Sequence, residues 1–175
     1  MSLHVALLEP PSVPVLGAVA SQCASADASL HLIGELPVAR TDPSLLSAGP
    51  DDWDALDWWV HPGWRDFRDA MSRERCIYFA VGAERDTSEA PFRGNSVLVV
   101  GTEDGALPDR ILEKYPTRIF RLPMPPRKRK VDLGQSVSLL LEVAAERLAA
   151  RASEQPVLID PMAKPMRYGR GRARR

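Results

Sequence analysis

At 175 residues, 45% of them apolar, the chain suits one globular domain with a single hydrophobic core and leaves little room for two. No apolar run approaches the roughly 18 residues that a membrane-spanning helix needs, and no secretory leader pattern opens the chain, so a soluble cytoplasmic protein is expected. The formal net charge is zero, yet six of the 23 basic residues lie from Lys164 onward with no acidic residue among them, leaving 17 basic against 23 acidic groups elsewhere.

Leu3 to Leu8 is a short apolar run closed by Glu9, Pro10 and Pro11, which suits a buried strand. After a loop from Pro10 to Pro14, the small residues of Leu16 to Ala26 predict a helix with Val19 and Cys23 on one face. Leu30 to Ile33 reads as a second strand. A helical piece from Pro43 to Leu46 is capped by Thr41 or Asp42 and ended by Gly49-Pro50, and Trp58 to Val60 is a third strand. Trp64, Phe67 and Met71 carry helical spacing, Cys76 to Val81 returns as a strand, and Gly82 to Gly94 is polar loop.

Ser96 to Val100 is the most strand-like run, with a sharp turn over Gly101 to Gly105 at its end. Pro108 to Tyr115 predicts a short helix and Ile119 to Leu122 a last strand. A long final helix sets Leu133, Val137, Leu140, Leu141, Ala144 and Leu148 on one stripe. Strands alternating with helices predict an α/β fold, a mostly parallel sheet with helices on both faces, and ligands at the carboxyl ends of the strands. The domain is expected over residues 1–152, with a basic tail over 153–175.

Residue types narrow the chemistry. His4, His31 and His61 are scattered, with no carboxylate or cysteine at ligand spacing, so structural roles and no metal are expected. Cys23 and Cys76 lie in apolar surroundings and read as buried free thiols, with one bridge as the alternative. Glycine fingerprints for phosphates and the GxSxG of hydrolases are absent. Glu103 is the one carboxylate at a strand end flanked by glycine, and reads either as a cap on the helix near Pro108 or as a ligand group. The loops Gly101 to Gly105, Leu122 to Pro126 and Asp132 to Gln135 offer backbone groups suited to a purine with a polar tail. Arg127, Lys128, Arg129 and Lys130 form a basic run, and Arg167, Arg170, Arg172, Arg174 and Arg175 a basic tail; each is a solvated surface or a phosphate contact.

In order, LHVALLEP, LHLIG, Ala48-Gly49-Pro50-Asp51, CIYFAV, VVGTEDGALP, RLPMPP and VDLGQSVSLLLE resemble the SPOUT class of RNA methyltransferases over about residues 3–150. They are most similar to the small tRNA 2′-O-ribose methyltransferases acting on the wobble nucleotide. The resemblance implies a C-terminal trefoil knot, S-adenosylmethionine as cofactor, RNA as partner and a homodimer. It implies that Phe79, Gly101, Glu103, Leu122, Met124, Lys130 and Leu133 surround the cofactor. At positions where the family carries asparagine, Gly-Asn and arginine after the first strand, this chain has Val15, Gly17-Ala18 and Ser21. The family's second arginine is replaced within Gly101 to Pro108, its Ser-x-Asn-Leu-Ser-Asn becomes Lys130 to Gln135, and its tyrosine falls at Glu142. Asp132 is the remaining candidate base. Two readings follow: an RNA 2′-O-methyltransferase with a rearranged substrate side, or an inactive homologue that binds RNA, cofactor or a dimer partner.

Overall fold

The computed structural model describes residues 2–154. Its six strands are β1 (His4–Leu8), β2 (Ser29–Ile33), β3 (Trp58–His61), β4 (Cys76–Ala80), β5 (Val97–Val100) and β6 (Ile119–Arg121). They form one parallel sheet in the order β3-β2-β1-β5-β4-β6. The central strands β1, β2, β4 and β5 are buried on nearly every residue because a parallel sheet is covered on both faces.

Five helices supply the cover: α1 (Val13–Ser25), α2 (Pro43–Ala48), α3 (Trp64–Ala70), α4 (Asp109–Lys114) and α5 (Leu133–Glu154). One face packs against Leu16, Val19, Ala20 and Cys23 of α1, Leu45 of α2 and the whole predicted stripe of α5. The other packs against Phe67 of α3 and Ile111 of α4. Removing each leucine of the stripe from water contributes roughly 1.5–3 kcal/mol before ordering entropy is charged, so α5 is held chiefly by this seam. α1 and α5 also press together, since a Cβ on Gly134 would stand 2.9 Å from that of Ala18.

Several expectations require correction. α1 begins at Val13, ahead of the expected Leu16, because Pro14 in a first turn has no hydrogen bond to lose. Asp42, and not Thr41, caps α2 by accepting from the backbone N–H of Ser44 at 2.9 Å. The polar stretch after β4 contains a 3-10 turn, Thr87–Glu89, held by a reciprocal capping box between Asp86 and Glu89. As expected, Cys23 and Cys76 are buried free thiols; they lie on opposite faces of the sheet, and burial pushes the Cys23 thiol up to about 12.

The three histidines are not scattered in space. His4 Nδ1 lies 3.0 Å from His31 Nε2, and His31 Nδ1 lies 3.0 Å from His61 Nε2, a diagonal row across β1, β2 and β3. Neutral imidazoles satisfy such a row because each donates once and accepts once. Trp59 stacks on His31 at 4.9 Å and Phe67 meets its edge at 5.9 Å. Burial, then the neighbouring imidazoles and Arg75, lower the His31 pKa to about 3. A depressed imidazole pKa gives stability that is complete above the unfolded value near 6.5 and lost as pH falls toward 3. Urea titrations at pH 7 and pH 5 are expected to differ by roughly 1–2 kcal/mol from this residue, and His31→Gln is expected to flatten that difference.

Candidate functional site

Strand order reverses between β1 and β5, so the carboxyl ends of these strands open a crevice where doubly wound sheets bind ligands. Glu103 closes it. Its carboxylate accepts from the backbone N–H of Ser12 at 3.0 Å and from the Ser12 hydroxyl at 3.2 Å, so the loop after β5 is tied to the start of α1. The expected cap on the helix near Pro108 is therefore corrected: Glu103 serves α1, whose first turn has no acidic residue of its own, while Asp109 occupies the first turn of α4.

Beside this crevice, three strand ends interlock through backbone. The Val81 N–H donates to the Gly105 carbonyl at 3.0 Å, the Leu122 N–H to the Ala80 carbonyl at 2.9 Å, and the Thr102 N–H to the Ala106 carbonyl at 3.0 Å. The loop from Gly101 to Ala106 folds back so closely that a Cβ on Gly101 would stand 1.6 Å from the Ala106 carbonyl oxygen. Gly105 takes a φ of +77°, with its Cα facing Val81 and Leu122, a conformation and a space that only glycine suits.

Of the residues expected around a cofactor, Phe79, Gly101, Leu122 and Leu133 are buried; the side chains of Phe79, Leu122 and Leu133 belong to the core on the α1 and α5 side. Only their backbone can meet a ligand. Leu122, Pro123 and Met124 join Gly82, Thr87, Arg121 and Val143 around a cleft of about 420 Å³. Gly82, at φ +75° with nothing within 4 Å of a Cβ position, is open on the solvent side, and it also borders a wider cleft of about 630 Å³ beside α4. Gly82, directly after a strand, is one of the strand ends at which the sequence places ligands; Thr87 and Val143 were missed, since they arrive only by folding. Thr87 is fixed by donating its hydroxyl to the Arg121 carbonyl at 2.6 Å.

The positions that the resemblance ties to methyl transfer lie along α1 and the start of α5. Val15 and Ala18 are partly buried on α1, and the Ser21 hydroxyl donates to the Gly17 carbonyl at 3.0 Å, a bond within its own helix. Asp132 accepts from the Gln135 N–H at 3.1 Å and pairs with Lys128 at 3.4 Å, so it acts as the cap of α5. Arg127, Lys128, Arg129 and Lys130 are exposed on the loop leading into that helix, with Arg127 at a φ of +68°. Glu103, tied to Ser12, and Lys130, on the loop leading into α5, are both exposed. Arg167, Arg170, Arg172, Arg174 and Arg175 lie outside the described residues.

The chain matches the SpoU rRNA Methylase family over residues 2–142 and belongs to that family. It is 29% identical to a tRNA (cytidine(34)-2′-O)-methyltransferase of Methylovorus glucosotrophus over 78% of this chain and 90% of that protein. It is 32% identical to the enzyme of the same name from Burkholderia cenocepacia, over 79% and 90%. A structure solved to explain the 2-OH methylation of C/U34 on tRNA superposes with a TM-score of 0.73 at 30% identity, covering 85% of this chain and 91% of that one. A SpoU methyltransferase from Streptomyces viridochromogenes, solved in complex with AdoMet, shares the fold at a TM-score of 0.68 and 16% identity, over 86% and 60%.

The interlocked loop yields a direct test. Gly101→Ala is expected to destabilise the protein by about 2–3 kcal/mol, because the contact is with backbone that cannot swing aside. Urea midpoints report it. An unchanged midpoint would show that the loop relaxes freely.

Proposed function

We propose that the protein transfers a methyl group from S-adenosylmethionine to a ribose 2′-hydroxyl of tRNA. The observation that carries this reading is the set of backbone-built loops at the ends of β4, β5 and β6, in a chain similar over most of its length to tRNA (cytidine(34)-2′-O)-methyltransferases. The residues present fit the cofactor. The cleft of about 420 Å³ lies within the range of small-molecule sites, its Pro123-Met124 wall is apolar, and the open side of Gly82 admits close approach of a ligand to backbone.

In this reading the backbone of Gly101 to Gly105 and Leu122 to Met124 holds the cofactor, with Lys130 and Leu133 at the start of α5 closing the site. The cofactor supplies an electrophilic methyl group on sulfur. The chain's own task is alignment: holding the ribose oxygen in line can remove roughly 7–11 kcal/mol of the barrier. Ser21, committed to its own helix, leaves phosphate gripping to Arg127, Arg129 and Lys130, which stand exposed beside the α5 cap. Asp132, capping α5 and paired with Lys128, has its carboxylate already engaged, and this favours proton loss to solvent over a dedicated base.

The same reading includes a C-terminal knot, a homodimer and a cytoplasmic location. α5 returning along α1 after the edge strand β6 supports the knot, and the shallow groove lined by Gln22, Ser25, Ser138, Leu141 and Glu142 on the outer side of these helices supports the pairing. No described helix is long and apolar enough to cross a membrane.

Titration calorimetry with S-adenosylmethionine is expected to show one site per chain, and absence of binding heat across temperatures would overturn the reading. Given binding, labelled cofactor with bulk tRNA is expected to yield base-stable 2′-O-methylated nucleoside; binding without transfer would mark an inactive homologue. Deleting Lys164 to Arg175 is expected to weaken tRNA binding and to lower the slope of log K against log salt by roughly 0.7 per lost phosphate contact.

A further inference from the structure

Because all six strands are parallel, the residues that lead into them gather at one pole, opposite the loops just described. Under β1 and β2 this pole is acidic, with Asp27 and Asp57 lining a recess. Under β4, β5 and β6 it is basic. Arg73 and Arg75 precede β4, Arg93 precedes β5 and Arg118 precedes β6; Arg75, Arg93 and Arg118 line one recess of about 300 Å³ in which Glu74 is the only acidic residue.

Carbonyl oxygens orient two of these guanidiniums, while those of Arg73 and Arg93 stand exposed without a hydrogen bond among the described residues. Arg75 Nε donates to the Asn95 carbonyl at 2.7 Å, and Arg118 donates from Nη1 to the Arg73 carbonyl at 3.3 Å and from Nη2 to the Glu74 carbonyl at 2.7 Å. Arg151, near the end of α5, donates to the Phe92 carbonyl at 2.6 Å and so joins the same pole. Among the described residues, none of these five arginines lies in an ion pair. A neutral carbonyl fixes a guanidinium without cancelling its charge, and among the described residues the other N–H groups of Arg75, Arg118 and Arg151 make no further hydrogen bond.

α5 gives the distance. Its first residues lie beside the candidate site and Arg151 lies at the basic pole, separated by 18 helical residues, or about 27 Å at 1.5 Å per residue. That is too far for the nucleotide being modified and its immediate neighbours to reach.

We propose that the arginine pole under β4, β5 and β6 is a second docking surface for the substrate RNA, gripping backbone phosphates remote from the modified nucleotide. Fixed arginine forks without carboxylate partners are the chemistry that binds phosphates irrespective of sequence, and such contacts set the register of a nucleic acid on its protein. The acidic half of the pole confines the RNA backbone to the other half. The inference rests on the reading of RNA as substrate.

The test uses the full chain carrying Arg73→Gln and Arg93→Gln. Both side chains are exposed, and neither guanidinium makes a hydrogen bond among the described residues, so the carbonyl framework stays intact. Binding of bulk tRNA and of a short anticodon stem-loop is measured across a salt series, beside S-adenosylmethionine calorimetry. The variant is expected to bind tRNA about tenfold more weakly at low salt, with a salt slope lower by roughly 1–2, while its stem-loop and cofactor affinities match the wild type. Unchanged tRNA affinity and slope would overturn the proposal, as would equal weakening for tRNA and stem-loop, which would place the arginines at the modification site. Failure of the wild type to bind any RNA would instead remove the reading on which the proposal rests.

Discussion

The backbone clasp at the carboxyl ends of β4, β5 and β6 is the constraint on which the site depends. Val81 holds Gly105, Ala80 holds Leu122, and Gly101 allows the chain between them to double back under Ala106. Three strand ends are thereby fixed relative to one another with hardly any side-chain participation. Such a clasp tolerates drift in most of its side chains while forbidding change at its glycines, because the contacts are made by atoms that every residue carries.

That division lets a chain keep these loops while carrying apolar or small residues on α1, where the resemblance implies polar ones. Val15, Ala18 and Ser21 stand on α1, a helix packed on the sheet through Leu16, Val19, Ala20 and Cys23. The buried face of α1 anchors the helix whatever its other positions carry. Substitution on its other positions leaves the scaffold intact, and in the proposed reading the exposed arginines of the α5 approach and of the opposite pole hold the RNA.

Most of the fold was legible because buried parallel strands and an amphipathic last helix write strong patterns: Leu3 to Leu8, Cys76 to Val81, Ser96 to Val100 and the α5 stripe all emerged within a residue or two. The start of α1 was not, since Pro14 reads as a loop residue unless one knows that it stands in a first turn. The site was legible as loops and not as contacts. Phe79, Leu122 and Leu133 were nameable by position, but whether their side chains face a ligand or the core depends on packing between distant segments. The histidine row and the arginine pole share that origin: each joins residues far apart in the chain that parallel pairing sets side by side.

Glu103 bears on how RNA can approach. The amino end of α1 is a natural seat for an anion, and here the protein fills it with its own carboxylate, bonded to the backbone and hydroxyl of Ser12. A phosphate arriving at that corner would meet a like charge and a helix end already satisfied. The corner between β1 and β5 is in effect self-plugged, and the end of α1 offers no free seat to a further anion.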